Sequence, residues 1–324
     1  MTGLRVVLLP ILAFAIAASP ALAGEGKIGD KAPPLKIAKW VKGGPVDFKT
    51  GKNENVYVVE FWATWCGPCI KSIPHLTELQ HKYKDKNVTF IGVTSKDPNN
   101  SLEDVESLVK EQGSKMDYIV AWDTERETTN AYREAYDHGS IPTAFIIDKQ
   151  GRVAWSGHPM DMDKPLEQVV AGTFDLTASK KRDQARRAKQ AAAMNANKLM
   201  GDYFKLIMTS KESDETRALG QKLFAQIKDN SRALNELAWE ILTKEGVVHR
   251  NKDLALKAAT IANDLTDGEN AYILDTYALA LWEVGEKNKA RKVQRKAVKL
   301  VGEEDPARAD MTKALKKYEE GRGG

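Results

Sequence analysis

The sequence predicts an α/β domain, with a mixed β-sheet covered by helices on both faces, followed by an all-α domain. Up to about residue 174, apolar strand patterns alternate with amphipathic helix patterns, which is typical of a covered sheet. Eleven of the twelve prolines lie at or before residue 165, and alanine, lysine, glutamate and leucine dominate the rest. A chain of 324 residues also exceeds the size at which a single core usually stops growing. We therefore expect two domains.

The elements of the first domain follow from its hydrophobic periodicity. Val56–Trp62 is almost continuously apolar or aromatic, as in a strand that is buried on both faces. Apolar residues then recur at spacings of three and four from Ile70 to Lys82, which predicts a helix that Pro74 should kink. Further strands are predicted at Leu35–Trp40, Val88–Val93, Tyr118–Trp122, Ala144–Asp148 and Val153–Trp155, and further helices after the capping residues Asn99–Ser101 and at Thr128–Tyr136.

Residues 1–23 have the pattern of a secretory signal peptide. Arg5 precedes an apolar run from Val6 to Ala18, and the segment ends in a small-x-small pattern at Ala23, after which we expect cleavage. An uncleaved membrane anchor is the alternative, although a membrane span needs about 20 apolar residues. Export predicts a periplasmic or otherwise extracytoplasmic protein, with no membrane span in the mature chain.

Composition limits the classes of partner. With 42% hydrophobic and 29% charged residues, the chain is globular rather than disordered. The formal net charge of +4 is small, and no basic patch is interleaved with aromatic residues, so nucleic acid is not an expected partner. The five histidines show no ligand spacing with cysteines or acidic residues, and we expect neither a metal nor another cofactor.

Cys66 and Cys69 are the only cysteines of the chain and lie three positions apart, between a predicted strand and a predicted helix. A bridge across so short a loop stabilises a fold little, because the effect grows with the logarithm of loop length. In an exported protein with no other cysteine, the pair is therefore predicted to be redox-active. The simpler alternative is two unrelated packed cysteines.

The segment Val58–Cys69, VVEFWATWCGPC, closely resembles the active-site strand and turn of thioredoxins. Ser140–Thr143 resembles the cis-proline loop of that family, which lies against the cysteine pair, and Pro74 matches its helix kink. The additional residues around 97–127 resemble the insertion of the exported TlpA-like branch. This resemblance covers about residues 27–174, and it implies a thioredoxin-like fold for a first domain at residues 24–174.

The placement of the two cysteines assigns their roles. Cys66 is expected at the N-terminus of the helix, where unsatisfied N–H groups and the helix dipole favour a thiolate, so it is the predicted nucleophile. Cys69, one turn into the helix, is the predicted resolving thiol. Gly67 and Pro68 shape the turn between them, since proline suits a first helical turn.

The resemblance also implies a substrate groove beside the pair. Trp65 resembles the exposed platform of that groove, whereas Trp62 is expected in the core. Pro142 is expected to follow a cis peptide bond, and the Ile141 backbone is expected to pair with the substrate chain, with Thr143 in the same loop.

Glu60 is an acidic residue inside an otherwise apolar strand. The resemblance places it beneath the resolving cysteine, where it helps to move the thiol proton, and burial there raises a carboxyl pKa toward neutrality. The alternative is a carboxylate that reaches solvent or pairs with a lysine. The lysine that accompanies this acid in many thioredoxins has no clear counterpart in Phe90–Val93.

The second half is predicted to comprise a helical connector at residues 175–232 and a repeat-like region at residues 233–324. In the latter, two pairs of alanines with an internal spacing of 7 lie 35 residues apart, which resembles tetratricopeptide helix pairs. An ordinary helical bundle is the alternative. A repeat array offers a concave surface for protein segments, so we expect a protein partner there. The alanines of the pattern are Ala238, Ala255, Ala262, Ala278, Ala290 and Ala297.

These features together predict an extracytoplasmic thiol–disulfide oxidoreductase that reduces disulfides of protein clients. The Gly-Pro pair between the cysteines resembles reducing thioredoxins, and an electron donor that the sequence does not identify must regenerate the dithiol. A thiol oxidase or a disulfide isomerase is the alternative within the class, because the redox supply also sets the direction. A non-catalytic repeat-based adaptor is the alternative outside it. A peroxidase is not expected, because no separate cysteine lies in the segment after Val46 where peroxiredoxins carry theirs.

Overall fold

The computed structural model of the chain describes residues 26–46, 48, 55–209 and 213–321. The signal peptide predicted at residues 1–23 lies outside these ranges. The chain divides into two compact units, with the boundary between Arg187 and Ala188. No helix in the described ranges combines the length and the apolar character that a membrane crossing needs.

The first unit is built on a six-stranded mixed sheet with the strand order β1-β4-β3-β2-β5-β6. The strands are β1 (Lys39–Lys42), β2 (Val56–Phe61), β3 (Val88–Ser95), β4 (Ile119–Asp123), β5 (Thr143–Ile147) and β6 (Val153–Gly157). The strands β2, β3 and β4 run parallel, and the outer pairings are antiparallel. The central strand β2 is buried along its whole length, as its apolar sequence predicts.

Helices cover both faces of this sheet. They are α1 (Gly67–Lys82), α2 (Leu102–Gln112), α3 (Glu127–Thr129), α4 (Asp163–Ala171) and α5 (Leu176–Thr209). Short 3-10 turns occupy Lys84–Lys86, Gly113–Met116 and Pro159–Asp161. Val58 and Trp62 belong to the core shared with α1, α2 and α4. Val59 and Phe61 point to the opposite core, which contains Tyr132. The alternation along β2 therefore assigns Glu60 to the α1 face.

The first strand lies later in the sequence than predicted, at Lys39–Lys42 instead of Leu35–Trp40. The backbone of Lys36 is bound by a side chain: Lys36 N donates to Thr128 Oγ1 at 2.7 Å, and that hydroxyl donates to Lys36 O at 3.0 Å. Strand pairing with β4 begins only at Lys39, opposite Trp122. The hydrogen bonds to Thr128, 92 residues away in sequence, therefore occupy the backbone of Lys36, and the strand begins after it.

The helix predicted at Thr128–Tyr136 is only partly α-helical. After α3 the chain widens into a π-turn at Asn130–Glu134. Ala135 N donates to Asn130 O at 2.9 Å, and His138 N donates to Arg133 O at 2.8 Å, both across five residues.

In its described residues, the second unit consists of helices joined by turns, without a strand. Its helices after α5 are α6 (Asp214–Ile227), α7 (Ser231–Thr243), α8 (Lys252–Asp264), α9 (Ala271–Glu283), α10 (Lys287–Leu300) and α11 (Ala307–Glu319). All six alanines of the predicted pattern are fully buried. Small residues therefore lie where the helices pack, as the spacing predicts. The tetratricopeptide identity of this region stays a prediction.

Candidate active site

The two cysteines lie where β2 leads into α1. Cys66 is the N-cap residue of the helix, with an extended backbone, and Gly67 and Pro68 form its first turn. Cys69 N donates to Cys66 Sγ at 3.2 Å, and Ile70 N donates to Cys66 O at 3.0 Å. The sulfur of Cys66 therefore occupies the position in which a capping side chain accepts a hydrogen bond from the helix backbone. This agrees with the predicted location of the nucleophile.

Cys66 and Cys69 are joined as a disulfide, with their Cα atoms 5.2 Å apart. Cys66 is 4% exposed and Cys69 is 1% exposed. Cys69 is the more buried of the two, but the difference is small, and the oxidised pair is covered on most sides.

The sheet brings the proline loop to the same edge as the cysteines. Phe61, at the end of β2, pairs with Thr143, at the start of β5. The residues that follow β2 and those that precede β5 therefore meet, although they are far apart in sequence. The Ile141–Pro142 peptide bond is cis, as predicted, and Thr143 Oγ1 donates to Ser140 O at 2.7 Å.

Trp65 and the proline loop line one surface cavity of about 530 Å³. Trp65 is 55% exposed, whereas Trp62 is 3% exposed, which matches the predicted division between groove and core. Trp65 Nε1 donates to the carboxylate of Asp97, which also accepts a hydrogen bond from Asn99 N at 2.7 Å. Ile141 lines the same cavity. Sequence reasoning missed Asp97 as an anchor for the tryptophan; its turn-forming context, Asp97-Pro98-Asn99, was the available signal.

Asn100 is a second residue that sequence reasoning did not assign to the site. It is 1% exposed, and its Oδ1 atom accepts hydrogen bonds from both the backbone N and the Oγ1 of Thr64 at 2.9 and 2.8 Å. Its Nδ2 atom donates to Thr94 Oγ1 and Ser95 O. Asn100 thus ties the segment just before Cys66 to the end of β3. Among the predicted capping residues Asn99–Ser101, Ser101 is the one that caps α2.

Glu60 is 2% exposed, and burial raises its pKa to about 8. Its register neighbours are Gly92 on β3 and Ala144 on β5. Neither carboxylate oxygen has a hydrogen-bond partner among the described residues. The alternative of a carboxylate that reaches solvent is therefore wrong, and no lysine of the described ranges pairs with it.

The histidines do not assemble a metal centre in the described residues, where no group of three or more His, Cys, Asp or Glu side chains is placed to hold an ion. His138, two residues before Ser140, contacts Ser156 Oγ through Nε2 at 2.8 Å. Burial, followed by the charge of Arg186, lowers the pKa of His138 to about 4. This side chain is therefore neutral near pH 7.

Comparison with known sequences covers the first half of the chain. The profile of the Redoxin family matches residues 27–170. Thiol-disulfide oxidoreductase ResA of Bacillus thuringiensis (strain Al Hakam) is 33% identical over 127 residues, which are 39% of this chain and 67% of that protein. Protein FixW of Rhizobium leguminosarum is 27% identical over 158 residues, which are 47% of this chain and 70% of the relative.

Solved structures also resemble this half. One is the crystal structure of a putative thiol:disulfide interchange protein DsbE from Chlorobium tepidum, at 29% identity and a TM-score of 0.38. The match covers 46% of this chain and 99% of that one.

Proposed function

Because the chain belongs to the redoxin family of thioredoxin-like thiol–disulfide oxidoreductases, we propose that it reduces disulfides of protein clients outside the cytoplasm, through Cys66 and Cys69. The observation that carries this proposal is the 3.2 Å hydrogen bond from Cys69 N to Cys66 Sγ at the start of α1. In the reduced protein, the same N–H group and the positive end of the helix stabilise a Cys66 thiolate.

The reaction takes two thiol–disulfide exchanges. The Cys66 thiolate attacks one sulfur of a client disulfide, a mixed disulfide forms, and one client thiolate leaves. Cys69 then loses its proton and attacks Cys66 Sγ, which forms the Cys66–Cys69 disulfide and releases the second client thiolate. The client gains two electrons and the enzyme loses two, so a separate donor dithiol has to reduce the Cys66–Cys69 disulfide for the next cycle.

Glu60 acts in the second exchange as the carrier of the Cys69 proton. Its position on the α1 face of β2 and its burial support this role. A carboxyl group with a pKa of about 8 exchanges a proton readily near neutral pH, whereas an ordinary carboxylate is too weak a base.

The client chain binds in the cavity beside the disulfide. Trp65 supplies an exposed apolar platform, and we assign Gly67 and Pro68, in the first turn of α1, to the same client-binding surface. The Ile141 backbone offers hydrogen bonds to an extended client segment, in the manner of strand addition, with Pro142 and Thr143 holding that backbone in place. The Trp65 exposure and the shared cavity lining support this assignment.

The helical region, at residues 233–324, binds a protein client or partner. The fully buried alanines support closely packed helix pairs, which is the architecture of surfaces that bind protein segments. An exported location rests on the predicted signal peptide.

A trapping experiment with the full chain tests the proposal. Cys69→Ser leaves Cys66 able to attack but removes the resolving thiol, so mixed disulfides with clients should accumulate and should disappear in the Cys66→Ser/Cys69→Ser variant. Retention of partners without any covalent trapping would favour the adaptor alternative.

The reduction potential of the Cys66–Cys69 pair tests the direction. A value near that of thioredoxin, about −270 mV, supports reduction of clients. A value near that of DsbA, about −120 mV, would instead identify an oxidase.

A further inference from the structure

Three buried polar side chains meet on the α1 face of the sheet, and none has its polar atoms satisfied by the described residues. They are the carboxyl group of Glu60, the indole N–H of Trp62 and the hydroxyl group of Tyr118. Their exposed fractions are 2%, 3% and 5%. A buried polar group without a partner destabilises the folded state, so three such groups in one place indicate a shared partner.

Gly92 is the position around which these side chains converge. It lies opposite Glu60 in the β2–β3 register. A Cβ atom at Gly92 would come within 3.0 Å of Tyr118 Cε2 and 3.1 Å of Trp62 Nε1. Both ring edges therefore rest on the bare backbone of β3, next to the carboxyl group. The charge of Glu60 also contributes, after burial, to raising the pKa of Tyr118 well above its ordinary value, which places the two groups within electrostatic reach.

A water molecule fits the donors and acceptors of this cluster. Trp62 can only donate, whereas Tyr118 can donate or accept and Glu60 can accept as a carboxylate and donate when protonated. Buried waters typically make about three hydrogen bonds to otherwise unsatisfied groups. The three side chains do not bond to one another directly, which is the situation that a bridging water resolves.

We propose that Trp62 and Tyr118 hold one buried water molecule against the carboxyl group of Glu60 and are positioning residues for it. While Glu60 is ionised, the water accepts from Trp62 Nε1–H and from the Tyr118 hydroxyl group and donates a hydrogen to the carboxylate. When Glu60 takes up a proton, it donates to the water, and the water and the tyrosine hydroxyl reorient. Both protonation states of Glu60 are thereby hydrogen-bonded, so the carboxyl group can gain and lose a proton without leaving its buried position.

This inference rests on the proposed role of Glu60 as a proton carrier and names the groups that control it. The register neighbours Gly92 and Ala144 do not titrate. On this face of the sheet, the remaining titratable members of the same core are the two cysteines, which form the disulfide, and Tyr83 at the end of α1. Tyr118 is therefore the titratable group of this core that the charge of Glu60 reaches in the oxidised protein.

Carbon-13 NMR of the full chain in its disulfide form tests the proposal, with labelled glutamate and with Glu60→Gln to assign the signal. Tyr118→Phe keeps the ring and removes the hydroxyl. We expect it to raise the titration midpoint of Glu60 by about one pH unit, because the carboxylate loses a hydrogen-bonded donor network. The Trp62 indole proton should also show a cross-relaxation signal to a long-lived water in the wild type, and Tyr118→Phe should weaken it.

Tyr132→Phe is the matched control, because Tyr132 is equally buried but donates to Pro33 O from the opposite face of the sheet. It should leave the midpoint unchanged. An unchanged midpoint and an unchanged water signal in Tyr118→Phe would overturn the proposal. If Tyr118→Phe does not fold, Trp62→Phe removes the other donor and should shift the midpoint in the same direction.

Neither measurement depends on turnover. A chain that fails to reduce clients but shows the Tyr118-dependent shift would contradict the proposed function and leave the water site standing. A chain that reduces clients without that shift would contradict the water site and leave the proposed function standing.

Discussion

The indole nitrogen of Trp65 lies 3.0 Å from Oδ2 and 3.2 Å from Oδ1 of Asp97, so a carboxylate from the loop after β3 fixes the exposed ring beside the disulfide. An exposed tryptophan without such a contact would lose rotational freedom on binding a client, at a cost in affinity. The Asp97 contact orders the ring in advance.

Asp97→Ala should therefore weaken client reduction without changing the redox pair. Loss of one charge-assisted hydrogen bond at an exposed site corresponds to about 1 kcal/mol, or roughly a fivefold decrease in kcat/KM. Steady-state kinetics with a protein client and the reduction potential of the Cys66–Cys69 pair are the two measurements. The potential should not move.

Asn99→Ala is the control for this prediction, because the exposed Asn99 contributes only its backbone N–H to Asp97. Its kinetics should match the wild type. Equal losses in Asp97→Ala and Asn99→Ala would mean that the loop, and not the tryptophan anchor, is responsible.

Glu60 gives a pH-dependent stability with a definite sign. Its pKa rises from 4.5 to about 8 on folding, so the folded state binds the proton more tightly than the unfolded state. The associated stability is complete below pH 4.5 and is lost as the pH rises to about 8. Each unit of pKa difference corresponds to about 1.4 kcal/mol, which makes the total loss on the order of 5 kcal/mol.

Glu60→Gln should remove this dependence, because the amide does not titrate. Urea unfolding of both proteins at pH 5, 7 and 8.5 measures the difference, and the variant should gain stability relative to the wild type as the pH rises. Glu78→Gln, at an exposed position of α1, should keep the wild-type slope. Parallel pH profiles for the wild type and Glu60→Gln would contradict the burial of a titrating carboxyl group.

The sequence was sufficient to predict features that depend on neighbours along the chain. The start of α1 follows from Cys66-Gly67-Pro68, because a residue with a side-chain acceptor before a proline is a local helix-start signal. The cis bond before Pro142 followed from a resemblance confined to four residues. The small residues of the second unit, such as Ala290, followed from a regular spacing.

Most of the features that the sequence did not predict depend on contacts distant along the chain. The sequence predicts Asn100 among the residues that cap a helix, yet its side chain accepts a hydrogen bond from Thr64, 36 residues away. The sequence of Phe90–Val93 shows that no lysine lies opposite Glu60. No residue pattern near Tyr118 or Trp62, however, indicates that their rings meet over Gly92. Only the strand register, which the whole sheet determines, brings these residues together.

Arg186 bonds the first part of α5 to the backbone of Tyr136 and Asp137 in the first unit. Its guanidinium group donates to Tyr136 O at 2.7 Å and to Asp137 O at 2.9 Å, and it pairs with Asp183 at 2.6 Å. Arg186→Ala should therefore lower the free energy of unfolding of this unit by about 2 kcal/mol, since two carbonyl acceptors lose a charged donor. Arg182→Ala removes an exposed arginine from the same helix and should change stability by less than about 0.5 kcal/mol in urea unfolding. Equal effects of the two substitutions would contradict the assigned contacts.

Ala290 tests the close approach of helices in the second unit. It is fully buried in the cluster that contains Trp282 and Tyr318, whose rings stack with their centroids 4.4 Å apart. Ala290→Leu inserts three carbon atoms where the helices leave no space for them. We expect overpacking to cost about 1–3 kcal/mol and to lower the melting temperature of the second unit.

Ala192→Leu is the matched substitution, because Ala192 is exposed on α5. Leucine and alanine have similar helix propensities, so this variant should melt close to the wild type. Circular dichroism of the full chain, followed through each unfolding transition, distinguishes the two variants. If Ala290→Leu were as stable as Ala192→Leu, the alanine spacing would reflect helix propensity alone, and the argument for closely paired helices as a protein-binding surface would lose its support.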